Sequence, residues 1–267
     1  MKTTFIRAIS GAIYVLILVL ATLYSSNSFL LLFGIFLILG VLEFCRLVNL
    51  KNLLPLVISI VSFILFNLDN TIKTNEILLV LGTLFVSAKA ILFLFDNKSK
   101  SLDKTSKYVF LVGYIILPFI IITKLPFVAV HYNPKIIISL FILIWTNDTF
   151  AYLVGINFGK NKLFERISPK KTIEGFIGGI IFALLAGVVI ANYYMEQSIL
   201  KWVLIAVLVG FFGTIGDLIE SKFKRVAGVK DSGNIMPGHG GVLDRLDSII
   251  FVAPIVYLFY QILYYVS

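Results

Sequence analysis

The chain has 267 residues, of which 59% are hydrophobic and only 14% charged, with a formal net charge of +9 and a mean hydropathy of +1.00. A soluble domain carries about a quarter charged residues, so this composition excludes one and leaves the bilayer as the solvent. The positive balance fits cytosolic loops facing anionic lipid, or an anionic substrate, better than nucleic acid.

The first segment, Met1 to Tyr24, places Lys2 and Arg7 ahead of an apolar run. No small-residue cleavage site follows and many more apolar segments do, so it is expected to be a first transmembrane helix and not a removed signal. Apolar runs that can span the hydrocarbon core lie near 8–24, 28–48, 53–68, 76–95, 107–123, 135–155, 173–194, 199–216 and 248–265. The third is short and starts near Pro55. Backbone groups in lipid are satisfied within helices, and no barrel-type alternation appears. The expected fold is therefore all-α: a polytopic integral membrane protein with about nine transmembrane helices.

Alternating these spans across a membrane sorts the basic residues. Lys73, Lys124, Lys135 and Lys201 fall on one side, Lys89 lies inside a span, and every other Lys and Arg falls on the opposite side. Basic loops face the cytosol, so the N-terminus is expected there, in the inner membrane if the source is bacterial. The single Cys45 excludes an internal disulfide and a cysteine metal cluster. Residues 1–124 read as N-terminal helices without a motif. Residues 125–267 read as a catalytic region with cytosolic loops 156–172 and 217–247. No internal repeat of transporter type appears.

Chemistry-bearing residues concentrate in this second region. Asn147 and Asp148 are polar within a span, where such groups usually have a function. Ser168-Pro169-Lys170-Lys171 precedes the next span, with Ser168 a candidate N-cap and Glu174 one turn on; ordinary cytosolic positive charge is the alternative for the lysines. Asp217 is expected to end one span, while Asp244 and Asp247 open the next and share a helix face. Carboxylates at membrane depth suit a hard cation such as Mg²⁺, which takes oxygen ligands and bridges to phosphates; capping of a helix N-terminus is the alternative for Asp244 and Asp247. Gly238, His239, Gly240 and Gly241 after Pro237, beside Lys222, Lys224, Arg225 and Lys230, suggest a phosphate cradle at a helix start. His239 is open between a base, a phosphate donor and a turn residue.

The stretches Ser221-Lys222-Phe223-Lys224-Arg225, Lys230-Asp231, Pro237-Gly238-His239-Gly240-Gly241 and Asp244-Arg245-Leu246-Asp247 together resemble the signature of the phosphatidate cytidylyltransferase (CDP-diacylglycerol synthase) family. Asp148-Thr149-Phe150-Ala151-Tyr152 and Ser168-Pro169-Lys170-Lys171-Thr172 are similar to that family too. The resemblance implies transfer of the cytidylyl group from CTP to phosphatidate, giving CDP-diacylglycerol and pyrophosphate at the cytosolic face. It implies Mg²⁺, with room for a second cation, on Asp217, Asp244 and Asp247. These three would act with Lys224, Arg225, Lys230 and Asp231 in catalysis. Asp148, Ser168, Lys170, Lys171, Lys222, Gly238, His239, Gly240, Gly241 and Arg245 would bind substrate. The expected partners are CTP, phosphatidate and membrane lipids; a homodimer is admitted and nucleic acid is not expected. Competing readings are a CTP-dependent lipid kinase, a transporter or channel, a CDP-alcohol phosphatidyltransferase (whose D-G-x-x-A-R pattern is absent) and a scaffold.

Overall fold

The structure, a computed structural model, describes residues 2–68, 73–96, 101–128, 131–238 and 240–266. Four helices come first: α1 (Lys2–Tyr24), α2 (Ser26–Val48), α3 (Leu53–Leu68) and α4 (Lys73–Phe95). The next span is α5 (Lys104–Phe110) and α6 (Leu117–Lys124), fused by a π-helical turn over Leu111–Ile116. Then come α7 (Pro134–Phe158), a hairpin of β1 (Lys162–Phe164) and β2 (Ser168–Thr172), α8 (Ile173–Val189), α9 (Ile199–Val226) and α10 (Leu243–Val266). Among the described residues eight segments are long and apolar enough to cross a membrane, and α3 is a shorter apolar helix. Large apolar side chains face outward, Leu31, Phe85 and Leu200 among them, as lipid solvation requires. The protein is thus a nearly all-α, polytopic membrane protein.

Local chemistry sets the helix limits. Ser25 and Ser28 exchange a reciprocal capping pair at the start of α2, and Asn49 ends that helix in the left-handed conformation at φ 54°. Asp103 caps α5 by accepting from the Ser106 amide at 3.2 Å. Within the π-helical turn, Gly113 lies directly on Val86, where any Cβ would overlap the valine side chain.

Side-chain contacts define two ends of the bundle. At one, Ser10 Oγ donates to the Pro237 carbonyl at 3.0 Å, Arg166 to the Leu94 carbonyl at 3.4 Å and Lys222 to the Asp96 carbonyl at 2.8 Å. At the other, Thr123 Oγ1 donates to Asn67 Oδ1 at 2.9 Å, Tyr132 OH to the Thr22 carbonyl at 2.7 Å and Lys135 to the Tyr194 carbonyl at 2.9 Å. Asn67, in the last turn of α3, places the end of that short helix beside Thr123 of α6.

Three boundaries differ from expectation. Helix α9 does not stop near 216 but continues to Val226, because its polar-looking extension buries Leu218, Ile219 and Phe223. Phe223 sits among Phe44, Phe93, Phe110 and Tyr114, with ring centroids 5.0–5.4 Å apart. Helix α10 begins at Leu243, one turn earlier than the apolar run near 248–265. The expected loop over 217–247 therefore contracts to 227–242. Ser168 is no N-cap: it opens β2, pairing with Phe164, and Thr172 caps α8 by accepting from the Gly175 amide at 3.1 Å.

Candidate active site

Tight packing of α7, α8, α9 and α10 builds the site. Glycine makes the close approaches. A Cβ on Gly178 would lie 2.7 Å from Val154, and one on Gly179 would lie 2.8 Å from the Asn147 carbonyl. A Cβ on Gly216 would lie 2.7 Å from the Asp247 carbonyl oxygen. This last contact locks α9 against α10 beside Asp217, so the carboxylates of two helices share one place. Small residues at helix crossings are the usual device for such approach in membranes.

The four helices and β2 enclose a cavity of about 780 Å³. Asp148, Asp217, Asp244 and Asp247 line it, as do Lys170, Lys171, Lys224, Arg225, Lys230, Asp231 and Arg245. It lies at the end of the bundle that holds Arg7, Arg166 and the 237–238 turn. One wall carries Tyr152 and Ile156, which are 65% and 64% exposed on the outer, apolar surface.

Charges within the cavity fall into two groups. Asp217 pairs with Lys171 at 2.5 Å and accepts from Ser221 Oγ at 3.2 Å. Lys224 forms ion pairs with Glu220 and, at 2.6 Å, with Asp244 Oδ1. Asp244 Oδ2 accepts from the Ser232 amide, the Ser232 hydroxyl and the Gly241 amide, each at 2.8 Å. By contrast Asp247 makes no ion pair among the described residues; its Oδ1 accepts only from the adjacent Ser248 amide at 2.7 Å. Among the described residues Asp148 has one hydrogen bond, from Asn147 Nδ2 at 3.3 Å. The carboxylates of Asp217 and Asp148 both stand close enough to act electrostatically on Asp247.

That crowding bears on whether a divalent cation fits. Among the described residues, Asp148 of α7 and Asp247 of α10 have no ion pair and stand near Asp217 of α9, and the cavity lining offers oxygen donors without sulfur or imidazole. This suits Mg²⁺, which takes one or two carboxylates and keeps waters and substrate phosphates as its other ligands. No group of three or more His, Cys, Asp or Glu side chains forms a closed ligand cluster among the described residues, and an ion of this kind needs none.

Several expected binding residues lie elsewhere. Lys222 does not line the cavity: its ammonium reaches the Asp96 carbonyl and lies 5.4 Å from the Phe93 ring centroid. On a helix, residues two apart point to nearly opposite sides, so Lys222 and Lys224 cannot both face the site. Ser168 stays outside the cavity lining as the first residue of β2. The turn glycines do not line it either. Gly238 and Gly240 take φ values of 78° and 85° to close a tight turn, for which glycine is suited. The amides expected to cradle a phosphate are already engaged: Gly241 donates to Asp244, while Val242 and Leu243 donate to Glu43 at 3.0 and 2.9 Å. His239 lies outside the described residues.

Glu43 and Glu220 did not emerge as site residues from the sequence. A carboxylate within the apolar run of α2 was the available signal for Glu43, but Arg46 three residues on makes it look like a helix end. Asn147 is buried at 2% exposure, and its Oδ1 has no hydrogen-bond partner among the described residues.

The sequence model of the cytidylyltransferase family matches residues 5–263. The chain belongs to that family. It is 44% identical over 146 residues to the phosphatidate cytidylyltransferase of Staphylococcus aureus (strain COL), an alignment covering 54% of each chain. It is 47% identical over 129 residues to the protein of that name from Staphylococcus haemolyticus (strain JCSC1435), covering 48% of each. Through these alignments the chain spans about half the length of the curated relatives it matches.

Proposed function

We propose that this protein is a phosphatidate cytidylyltransferase, joining CMP from CTP to phosphatidate and releasing pyrophosphate. The observation that carries this reading is the cavity itself. It gathers unpaired carboxylates from α7 and α10 with Asp217 and a ring of cations, and one of its walls reaches the lipid-facing surface. A reaction between a nucleotide in water and a phosphate on a lipid needs such a boundary. The relatives' name agrees with it.

In this reaction a phosphate oxygen of phosphatidate attacks the α-phosphorus of CTP. The bond from that phosphorus to the bridging oxygen breaks, and its electron pair leaves with pyrophosphate. Two polyanions must approach, so the protein's main tasks are positioning and charge neutralisation. Lys170, Arg225, Lys230 and Arg245 bind phosphate oxygens. Lys171 and Lys224, held by Asp217, Glu220 and Asp244, keep fixed positive charge on the cavity wall. Asp217 and Asp247 would hold Mg²⁺, with Asp148 beside them and Asp244 reached only by displacing Lys224. When bound, the ion would neutralise charge on the phosphates and leaving group. The basic residues around the cavity support a cytosolic placement for its end of the bundle, with the N-terminus on the same side.

The test uses purified protein in lipid with CTP labelled either in the cytidine or in the γ-phosphate. Cytidine label should enter the lipid, γ label should appear in pyrophosphate, and a Mg²⁺ chelator should stop both. Transfer of γ label to lipid would instead make the protein a lipid kinase, and turnover that persists in chelator would remove the metal from the mechanism.

A further inference from the structure

Glu43 of α2 belongs to the half of the molecule without a recognisable motif, yet it is 1% exposed and has no ion pair among the described residues. A buried carboxylate is costly unless hydrogen bonds replace its water. Here they do. The Val242 and Leu243 amides donate to it at 3.0 and 2.9 Å, and Ser232 Oγ lies 3.1 Å away. The backbone closes round it on both sides: a Cβ on Gly233 would lie 2.5 Å from Oε1, and one on Gly241 would strike both carboxylate oxygens.

These donors have a particular place. The Val242 and Leu243 amides belong to the N-terminal end of α10, where unpaired N–H groups and the helix dipole favour negative charge. That end carries Asp244 and Asp247. Successive helical residues are separated by about 100° around the axis, so a slip of one residue would turn both aspartates off the cavity. Ser232 strengthens the link, because its hydroxyl lies 3.1 Å from Glu43 and 2.8 Å from Asp244 and shares one proton between them.

We infer that Glu43 is a positioning residue for the active site, a carboxylate from α2 that clamps the first turn of α10 and so fixes the direction of Asp244 and Asp247. The clamp rests on the cytidylyltransferase reading only for its effect on turnover; its effect on α10 does not depend on it. The link runs from Glu43 through Ser232 and the α10 amides to Asp244, and from there through Lys224 to Glu220.

Glu43→Gln keeps size and one carbonyl but presents an amide donor where an acceptor is needed. In the full-length protein reconstituted in lipid, hydrogen exchange over 241–247 should accelerate while exchange in α7 and α8 stays as in the wild type. The kcat of the folded protein should fall by about 10- to 100-fold, the range for residues that orient ligating groups, with a smaller change in KM. Ser232→Ala, which removes one bond to each carboxylate, should move both readouts the same way by less. If Glu43→Gln does not fold, Ser232→Ala carries the test alone. Unchanged exchange over 241–247 would overturn the clamp, as would faster exchange there with wild-type kcat per folded molecule. Absence of cytidylyl transfer in the wild type would instead sink the functional reading, and the exchange result would stand without it.

Discussion

The two halves of this bundle use the same helical material differently. In α1–α6 the buried polar groups serve helix ends and crossings: Thr22 and Thr83 return hydrogen bonds to carbonyls four residues back, and Thr123 ties α6 to Asn67 of α3. In α7–α10 glycines let backbones nearly touch, and the space so defined is lined with charge. Glu43 crosses from the first group to the second. The first half is thus mainly a scaffold whose buried hydroxyls turn back on the helices, the Tyr14 and Tyr114 hydroxyls excepted, whereas the second half holds a site in which the carboxylates of Asp148 and Asp247 have no ion pair among the described residues. Substitutions at Asp247, at Lys222 and Lys224, and at Asp103 test that division.

The largest effect is expected at Asp247. Asp247→Asn keeps the shape and an acceptor for the Ser248 amide, so the fold should persist, but it removes the negative charge that faces Asp217 and Asp148. Cytidylyl transfer should be lost, measured with labelled CTP on protein whose melting temperature is close to that of the wild type. Full activity would take Asp247 out of the metal set.

A matched pair on one helix sharpens the contrast. Lys224→Met strips the cation from Glu220 and Asp244, both buried within the bundle. Breaking one side of such a pair costs about 3–5 kcal/mol, so stability and activity should fall together. Lys222→Met loses one charge-assisted bond to the Asp96 carbonyl, about 1.5–3 kcal/mol, and kcat should be retained. Thermal melts beside turnover separate the two, and equal loss of kcat would return Lys222 to the site.

This pair also shows what a linear sequence hides. The apolar helices, eight long enough to cross a membrane and a shorter one among the described residues, were legible because a bilayer demands long apolar runs, and the acidic and basic cluster was legible because charge is rare in such a chain. The reach of α9 was not. Hydropathy reads Asp217 to Val226 as loop, whereas the burial of Leu218, Ile219 and Phe223 keeps it helical and turns Lys222 away from Lys224. The glycine turn misled for a related reason. Glycines before a helix suggest an anion at its amides, and an anion is there, but it is Glu43 from 200 residues earlier. Long-range partners leave no local periodicity to read. The 162–172 hairpin, with strands of three and five residues, is too short to show alternation.

The smallest effect should come from the scaffold half. Asp103, exposed at the start of α5, accepts from both the hydroxyl and the amide of Ser106, and these bonds hold its carboxyl below the usual carboxylate range. A carboxyl lowered in the folded state stabilises the fold above its unfolded pKa, near 4, and that contribution is lost as pH falls through the folded value. Asp103→Ala should therefore lower the melting temperature slightly at neutral pH, and the gap to the wild type should close in acid. Its kcat should stay at the wild-type value, because Asp103 does not line the cavity. A marked loss of kcat would show that the scaffold half transmits to the chemistry by a second route besides Glu43.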